Sequence, residues 1–396
     1  MRAGRILRDL LNQAKLKIHE RRTQALVVAV EALLLGQRLW LTALGRAVAT
    51  SGGTKHQIKR IDRLLGNPRI HQQHHDLYRP MVVALVRGKR RPVIIVDWSG
   101  VTTDDRFHLL RAAVPVGGRT LTLYEEVHPR TRYNSPKTHS LFLKRLKELL
   151  PPLCRPIIVT DAGFHCPWFR DVTALGWDWV GRIRNRIQIC PFTTNQWCAS
   201  ESLFALATAT PRCFGQVALT RLNSFQCRLV IVGRRKKGRI AKNRQGARSR
   251  RICSIYNAHR NREPWLLVTS LNHPRPHKIA ALYRSRMQIE ETFRDLKNLM
   301  FGWGLEHTRT RSADRLQVLI LIGAWATLLA WMIGTLARQH HLHRALQANT
   351  IRHRHVFSTL MLGCLVLRQS RSLFTLAQLR RALTTIRDAT LTHDAL

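Results

Sequence analysis

Two aspartates each stand directly after a short apolar run of the kind that forms a buried strand. Val93 to Val96 leads into Asp97, and Ile157 to Val159 leads through Thr160 into Asp161. A carboxylate this close to a buried strand is costly unless a hydrogen bond or a cation compensates its charge. Carboxylate oxygens at converging strand ends are the ligands that Mg²⁺ prefers. The two aspartates are therefore candidate metal ligands, although either one could simply cap a turn.

A third acid belongs to a set of four residues with helical spacing: Tyr283, Arg286, Glu290 and Lys297. At about 100° per residue, their positions fall within a sector of roughly 60° on one helix, whereas Glu291 points about 100° away. The two cations could hold phosphate groups beside a metal-bound Glu290. An ordinary solvated face explains each residue alone, but not the set so well. The three acids together predict a phosphoryl-transfer site in which two Mg²⁺ ions activate the attacking oxygen and stabilise the leaving one.

The charge of the chain indicates its partner. The 396 residues include 66 Lys and Arg against 23 Asp and Glu, a formal net charge of +43. A soluble protein this basic repels itself unless a polyanion neutralises it, and nucleic acid is the usual polyanion. An anionic membrane surface is a weaker candidate. Hydrophobic residues make up 45% of the chain, so we expect a folded protein of two or three domains.

The elements that position the acids follow from the apolar pattern of the middle of the chain. A strand that ends at Asp97 is followed by a hairpin around Gly117-Gly118, a helix, the strand before Asp161, a second helix and a last strand. The predicted ranges after the first strand are Phe107–Val116, Arg119–Val127, Ser140–Leu150, Ile157–Val159, Pro167–Leu175 and Trp177–Ile183. This order is that of a ribonuclease H-like α/β domain.

Two basic segments are candidate contacts for a phosphate backbone. From Thr54 onward, Lys55, Lys59 and Arg63 recur at helical spacing with Arg60 beside them, opposite an apolar side. Such a helix suits a phosphate backbone, although an ordinary solvated face is an equal alternative. The run Arg234 to Arg251 holds ten Lys or Arg among 18 residues and no acid. It predicts a mobile loop that could clamp a nucleic acid.

One segment is long enough to cross a bilayer. Leu316 to Ala337 carries no charge and lies between Arg315 and Arg338. A helix buried on all sides has the same composition, and we favour that interpretation. The eight cysteines form no C-x₂-C pair, and the spacing of Cys190, Cys198, Cys213 and Cys227 does not fit a zinc site. Dispersed thiols fit a reducing cytoplasm, and we expect no signal peptide.

These motifs resemble those of a known family. Tyr283 to Lys297, YRSRMQIEETFRDLK, resembles the Y-x₂-R-x₃-E-x₆-K signature of the insertion-sequence-four family of DDE transposases. Asp97 in VDWS and Asp161 in TDAGF match the family's first two acids. TKHQIKRIDRLLGN, from Thr54, and ANTIRHRHVFSTLMLG, from Ala348, are similar to the transposon-ten (insertion sequence ten) transposase group. The resemblance covers nearly the whole chain.

The resemblance implies a cut-and-paste mechanism on DNA. Such enzymes bind the terminal inverted repeats of their element, pair two ends in a dimeric synaptic complex, cut both strands through a DNA hairpin, and join the 3′-ends to target DNA. Asp97, Asp161 and Glu290 would hold two Mg²⁺ ions, for which Mn²⁺ could substitute. Trp265 would stack on a flipped base at the hairpin, although a Trp at the start of an apolar run is often a core residue. Tyr283, Arg286 and Lys297 would grip phosphates around it.

The resemblance also predicts how the chain is divided. We expect a helical DNA-binding domain at residues 1–85, a ribonuclease H-like core at 86–186 and 271–337, a β-rich insertion at 187–270, and a helical C-terminal region at 338–396. A cytoplasmic, nucleoid-associated bacterial protein is expected, with no membrane as partner. Two alternatives stay open: a ribonuclease H-fold nuclease without strand transfer, and an inactive DNA-binding descendant of a transposase. A membrane protein is a third, weaker alternative.

Overall fold

The structure is a computed structural model, which describes residues 2–392 except 15, 17, 50–51, 185–186, 234–246, 248–262, 349, 352 and 371–372. The chain is mixed α/β and forms two compact units. Unit 1 combines Met1–Cys154 with Met287–Ala395, and unit 2 is Arg155–Arg286. Unit 1 is therefore built from two separate stretches of chain. The division into five segments stays a prediction.

Unit 1 begins with short helices and continues into a three-stranded antiparallel sheet. The helices are α1 (Arg2–Gln13), α2 (Glu20–Gly36), α3 (Leu41–Ala47), α4 (Thr54–Leu65), α5 (Pro68–Gln73) and α6 (Arg79–Val86). The strands are β1 (Val93–Gly100), β2 (Phe107–Val116) and β3 (Arg119–Pro129), in the order β3-β2-β1, and helix α7 (Pro136–Leu149) follows them. Gly117 and Gly118 have φ of 52° and 83°, the left-handed backbone that a two-residue hairpin turn requires. The predicted hairpin is confirmed.

Unit 2 contains a seven-stranded sheet within the described residues. Its elements are β4 (Ile157–Val159), α8 (Cys166–Ala174), β5 (Asp178–Ile183), β6 (Gln188–Pro191), β7 (Cys198–Ala199), β8 (Arg212–Leu219), β9 (Phe225–Val232), β10 (Trp265–Thr269) and α9 (Pro276–Ser285). The strand order is β4-β5-β10-β9-β8-β6-β7. Strands β4 and β5 are parallel, and the other neighbours are antiparallel. The predicted series of strand, strand, strand, helix, strand, helix and strand is confirmed from β1 to β5.

The rest of unit 1 is helical. It contains α10 (Met287–Lys297), α11 (Ala313–Gln339), α12 (His343–Leu346), α13 (Thr359–Gln369) and α14 (Leu376–Ala389). Helix α10 packs on the sheet of unit 1, and α11 contacts β3, α2, α13 and α14. The sites of closest approach between α11 and α13 are Gly334 and Gly363, where a Cβ would overlap the carbonyl oxygens of Thr359 and Ala330 respectively.

Helix α11 is the apolar segment that the sequence also allowed as a membrane span. The helix has 27 residues, and 94% of the residues in its most apolar stretch are buried inside the protein. Ser312 caps its N-terminus, and Gln317 donates to the Glu125 carbonyl and accepts from the Val127 N–H. By length and composition this helix could cross a membrane, and the bent pair α2 and α3 passes the same test together. Its side chains are nevertheless covered by the unit's own helices and sheet, so the prediction of a buried helix is confirmed.

Candidate active site

Asp97 lies inside strand β1, whose pairing with β2 fixes its position. It faces Arg111 in the antiparallel register, and its side chain is buried. Its Oδ1 accepts a hydrogen bond of 2.8 Å from the Trp98 N–H, which orients the carboxylate. The Arg111 guanidinium forms an ion pair of 2.6 Å with the fully buried Glu125. Strand β2 therefore places the cation Arg111 opposite Asp97, and Glu125 of β3 holds that cation in place.

Glu290 lies in the first turn of α10 and is exposed. Hydrogen bonds to β3 fix this helix: the Thr120 N–H donates to Thr292 Oγ1 over 2.8 Å, and Arg119 Nε lies 2.7 Å from Asp295 Oδ2. A buried, hydrogen-bonded face thus holds the helix while Glu290 stays accessible to solvent.

Lys297 ties the end of α10 to the end of β1. Its Nζ donates to Ser99 Oγ at 3.1 Å and to the Gly100 carbonyl at 3.3 Å. Burial lowers the pKa of Lys297; the negative charge of Glu306 opposes this shift, and the positive charge of Arg111 adds to it. Strand β1, which carries Asp97 and Ser99, and helix α10, which carries Glu290 and Lys297, therefore contact each other within unit 1.

Asp161 lies in unit 2, in the turn between β4 and α8. Its Oδ1 accepts a 2.7 Å hydrogen bond from the Gly163 N–H. The Thr160 N–H donates to the Val180 carbonyl, so the contact with β5 extends to the residue just before the acid. The side chain is half-buried. As the sequence predicts, the acid follows the strand with only Thr160 between them, and a hydrogen bond within the turn orients it.

Tyr283 and Trp265 pack against each other in unit 2. Their rings meet edge to face with centroids 4.9 Å apart, and both side chains are buried. The Arg286 guanidinium lies 5.9 Å from the centre of the Tyr283 ring. Burial raises the pKa of Tyr283, the cations of Arg286 and Arg182 oppose this shift, and the negative charge of Asp161 reinforces it. Unit 2 thus brings four predicted site residues into one electrostatic environment.

Two further arginines belong to this environment and were not foreseen from the sequence. Arg182 and Arg184 lie 3.6 Å and 3.2 Å from Glu263 Oε2, and Arg182 also donates to the Pro264 carbonyl. Glu263 precedes Trp265 by two residues, so this cation pair is anchored beside the aromatic pair. The signal in the sequence was one arginine, Arg182, inside the apolar end of the predicted strand Trp177–Ile183 and a second, Arg184, directly after it.

The expectation that Tyr283, Arg286, Glu290 and Lys297 share one helix is wrong. The helix is interrupted at Arg286, between α9 and α10, where the two compact units also divide. The Ser285 hydroxyl donates to the Leu282 carbonyl over 2.6 Å, and the Arg286 N–H bonds to the Tyr283 carbonyl instead. In a regular α-helix the Arg286 N–H would donate to the Leu282 carbonyl. A serine hydroxyl that occupies this carbonyl disturbs the regular hydrogen bonding of the helix.

Helix α4 has the two faces that its sequence predicts. Lys55, Lys59 and Arg63 are exposed and Arg60 is half-buried, while Gln57, Ile61, Leu64 and Leu65 are buried against unit 1. Lys59 lies 3.5 Å from Asp62, an exposed pair that leaves the helix strongly basic. The basic run Arg234 to Arg251 lies outside the described residues except for Ala247.

The sequence of the chain is similar to that of a known protein family. The family model described as the transposase DDE domain matches residues 88–329, more than half of the chain. The protein belongs to the transposase DDE domain family. Asp97, Asp161 and Glu290 all lie inside the matched residues of this DDE transposase. No curated protein matches its sequence.

DDE transposases typically use divalent metals, and the chemistry of the acids suits such ions. In the described part of the chain, no three His, Cys, Asp or Glu side chains are grouped so as to hold a metal ion. The three carboxylates, however, offer only hard oxygen donors, which favour Mg²⁺ over a thiolate-binding metal. In Asp97 and Asp161, a backbone N–H orients one carboxylate oxygen. The residues therefore fit Mg²⁺ by donor type.

Proposed function

We propose that this DDE transposase moves its element by a cut-and-paste mechanism, with Asp97, Asp161 and Glu290 as its catalytic acids. The observation that carries the proposal is that all three acids lie within the matched DDE domain, on a strand, on the turn after a strand and on an accessible helix face. The chain would cut at the terminal inverted repeats, form a DNA hairpin and transfer the freed 3′-ends to target DNA.

The three acids would hold two Mg²⁺ ions, or Mn²⁺ in their place, which supply a charge that activates the attacking oxygen and stabilises the leaving oxygen. Asp97 enters this arrangement already oriented by the Trp98 N–H, and Asp161 by the Gly163 N–H. Preorganised ligands lower the cost of assembling such a site. Glu290, which is exposed, supports the proposal because an incoming DNA strand can reach it.

The cations around Tyr283 would position the phosphates of the DNA. Arg286 lies against the aromatic ring, and Arg182 and Arg184 contribute positive charge nearby. Because the pKa of Tyr283 is raised, its hydroxyl stays protonated and serves as a hydrogen-bond donor to a phosphate oxygen. Lys297 would reach a phosphate by exchanging its bonds to Ser99 and Gly100.

Trp265 is proposed to stack on a base flipped out at the hairpin. Its ring is buried against Tyr283, so stacking requires the indole to turn or the Tyr283 helix to shift when DNA binds. We also propose that the transposase works as a homodimer in a synaptic complex and acts in the bacterial cytoplasm, close to the nucleoid.

The decisive experiment is cleavage of linear DNA that carries the element's terminal repeat, with Mg²⁺ or with EDTA. Wild type is compared with Glu290→Gln, and Glu291→Gln is the matched control because it changes the same residue type one position along the same helix. Glu291 pairs with Arg294 at 2.7 Å, so we expect its loss to change cleavage little. Glu290→Gln, Asp97→Asn and Asp161→Asn should each abolish cutting and leave binding of the DNA end nearly intact.

The outcomes separate the alternatives. Cutting without joining to target DNA would favour a ribonuclease H-fold nuclease, and binding without cutting by wild type would favour an inactive descendant. If Glu290→Gln cuts as well as Glu291→Gln, the assignment of the third acid is wrong.

A further inference from the structure

Unit 1 has a cavity of about 580 Å³ beside the end of α4, and none of the three acids is among the residues that line it. Its floor is apolar and includes the buried Leu65 and Leu319. Trp40 and His307 form its aromatic wall, with ring centroids 5.8 Å apart. A cavity of this size is in the range of small-molecule binding sites, which combine apolar walls with a few polar groups.

Backbone hydrogen bonds hold the two sides of the cavity together. The Leu39 N–H donates to the Trp303 carbonyl, which joins the segment before α3 to the loop before α11. The His307 N–H donates to the Gly304 carbonyl. Gly304 has a φ of 69°, and a Cβ there would lie 3.3 Å from the Trp40 ring. The glycine thus allows the loop to approach Trp40 closely, and the cavity is preformed.

The rim is basic and polar. Arg309 and Arg315 line the cavity together with three threonines, and no acid of the described chain is among the lining residues. Arg315 is held in place by Asp62, 2.7 Å away. Trp40 is only half-buried and His307 is exposed, so both rings can meet a ligand from solvent.

These features suit one ligand chemistry. Aromatic rings recognise a nucleobase by stacking, and arginines beside them attract the phosphates that flank it. Helix α4 ends at this cavity: its last residue, Leu65, lines it from the buried face of the helix, while Lys55, Lys59 and Arg63 lie on the exposed face.

We propose that the Trp40–His307 cavity is a second base-binding site, which takes one unpaired nucleobase of the bound DNA. The residues that line this cavity belong to unit 1, and Trp265, which belongs to unit 2, is not among them. The inference rests on the proposed function only in taking DNA as the ligand, and it requires no cleavage by the three acids.

Cross-linking locates the site directly. Full-length protein in EDTA is irradiated with a single-stranded oligothymidine that carries 5-iodouracil, and the cross-linked peptides are identified by mass spectrometry. We expect adducts on Trp40 or His307. Adducts confined to other segments, with neither residue modified, overturn the proposal.

Binding tests measure the contribution of the rings. Stacking of one base corresponds to a loss of about 5- to 150-fold in affinity on alanine substitution. We expect Trp40→Ala and the exposed His307→Ala to weaken single-strand binding within this range, while affinity for a fully paired duplex changes less than about twofold. Trp40→Phe should retain most of the single-strand affinity. Phe192→Ala, at a 50% exposed aromatic outside the cavity, is the control and should have no effect.

Equal losses of affinity for single strands and for duplexes would overturn the proposal, because they would indicate contacts with the sugar-phosphate backbone of the DNA and not with a base. A fall in dimer content of Trp40→Ala in sedimentation, with unchanged DNA affinity, would show that a second copy of the chain occupies the cavity. Because all these measurements are made without Mg²⁺, a failure of the base site is distinguishable from a failure of the catalytic acids.

Discussion

At the scale of single residues, burial determines what Tyr283 can contribute. The ring packs on Trp265, and burial, with Asp161 adding to it, raises the pKa of the hydroxyl. An ordinary tyrosine loses its proton near pH 10, so folded Tyr283 keeps its proton beyond that pH. The unfolded chain releases this proton at lower pH than the folded chain, and the folded state is therefore destabilised above about pH 10.

The corresponding prediction concerns Tyr283→Phe. The substitution keeps the ring contact and removes one donor to a charged phosphate, a bond of about 1.5–3 kcal/mol. Single-turnover cleavage should slow by at least about tenfold, and the ratio of wild type to variant should be constant between about pH 7 and pH 9. A ratio that falls toward one as the pH rises would show that the hydroxyl ionises in this range.

The sequence predicted the elements of the three acids because each acid is marked by its own neighbours. Asp97 and Asp161 follow apolar runs, and Glu290 belongs to a spaced set. Arg182 and Arg184 were missed because their anchor, Glu263, is about 80 residues away along the chain and reaches them only through the pairing of β5 with β10. Pairing over such distances is not contained in local periodicity.

At the scale of elements, the same limit applies to helices. The spacing of Tyr283, Arg286, Glu290 and Lys297 correctly indicates helix but not the interruption, since that depends on one hydroxyl of Ser285. Propensity treats serine as only mildly unfavourable. The carbonyl to which the Ser285 hydroxyl donates depends on the folded structure and not on the local sequence.

The close packing of α11 on α13 gives an element-scale prediction. Gly334→Ala places a methyl group against the Thr359 carbonyl oxygen, which is backbone and cannot move aside alone. We expect unfolding free energy to fall by about 1–3 kcal/mol or more. Denaturant titration, interpreted for the transition that includes unit 1, measures this change.

Thr335→Ala, at the half-buried next position of the same helix, is the control and should cost far less. Equal losses for the two substitutions would mean that the helices can separate slightly at this point without penalty.

At the scale of the whole molecule, a net charge of +43 makes DNA binding depend strongly on salt. The slope of log affinity against log salt is about −0.9 for each phosphate neutralised on duplex DNA. Replacing Lys55, Lys59 and Arg63 of α4 with alanine should therefore make the slope less steep by about 2 to 3. Fluorescence anisotropy of a labelled duplex over a series of salt concentrations gives the slope.

The control removes the same charge from exposed residues of α7: Lys137, Lys144 and Lys147. Its effect on the slope should be smaller. Equal changes from the two triple variants would show that overall charge matters and that α4 has no specific contact with the phosphate backbone.

The two-part construction of unit 1 also matters while the protein is being made. Helix α2 leaves the ribosome early, but its partner α11 begins only at Ala313. At about 5–20 residues per second, the apolar residues of α2 wait on the order of 10–60 s for α11. During translation they have no complete core to join, so nascent chains should depend on chaperones.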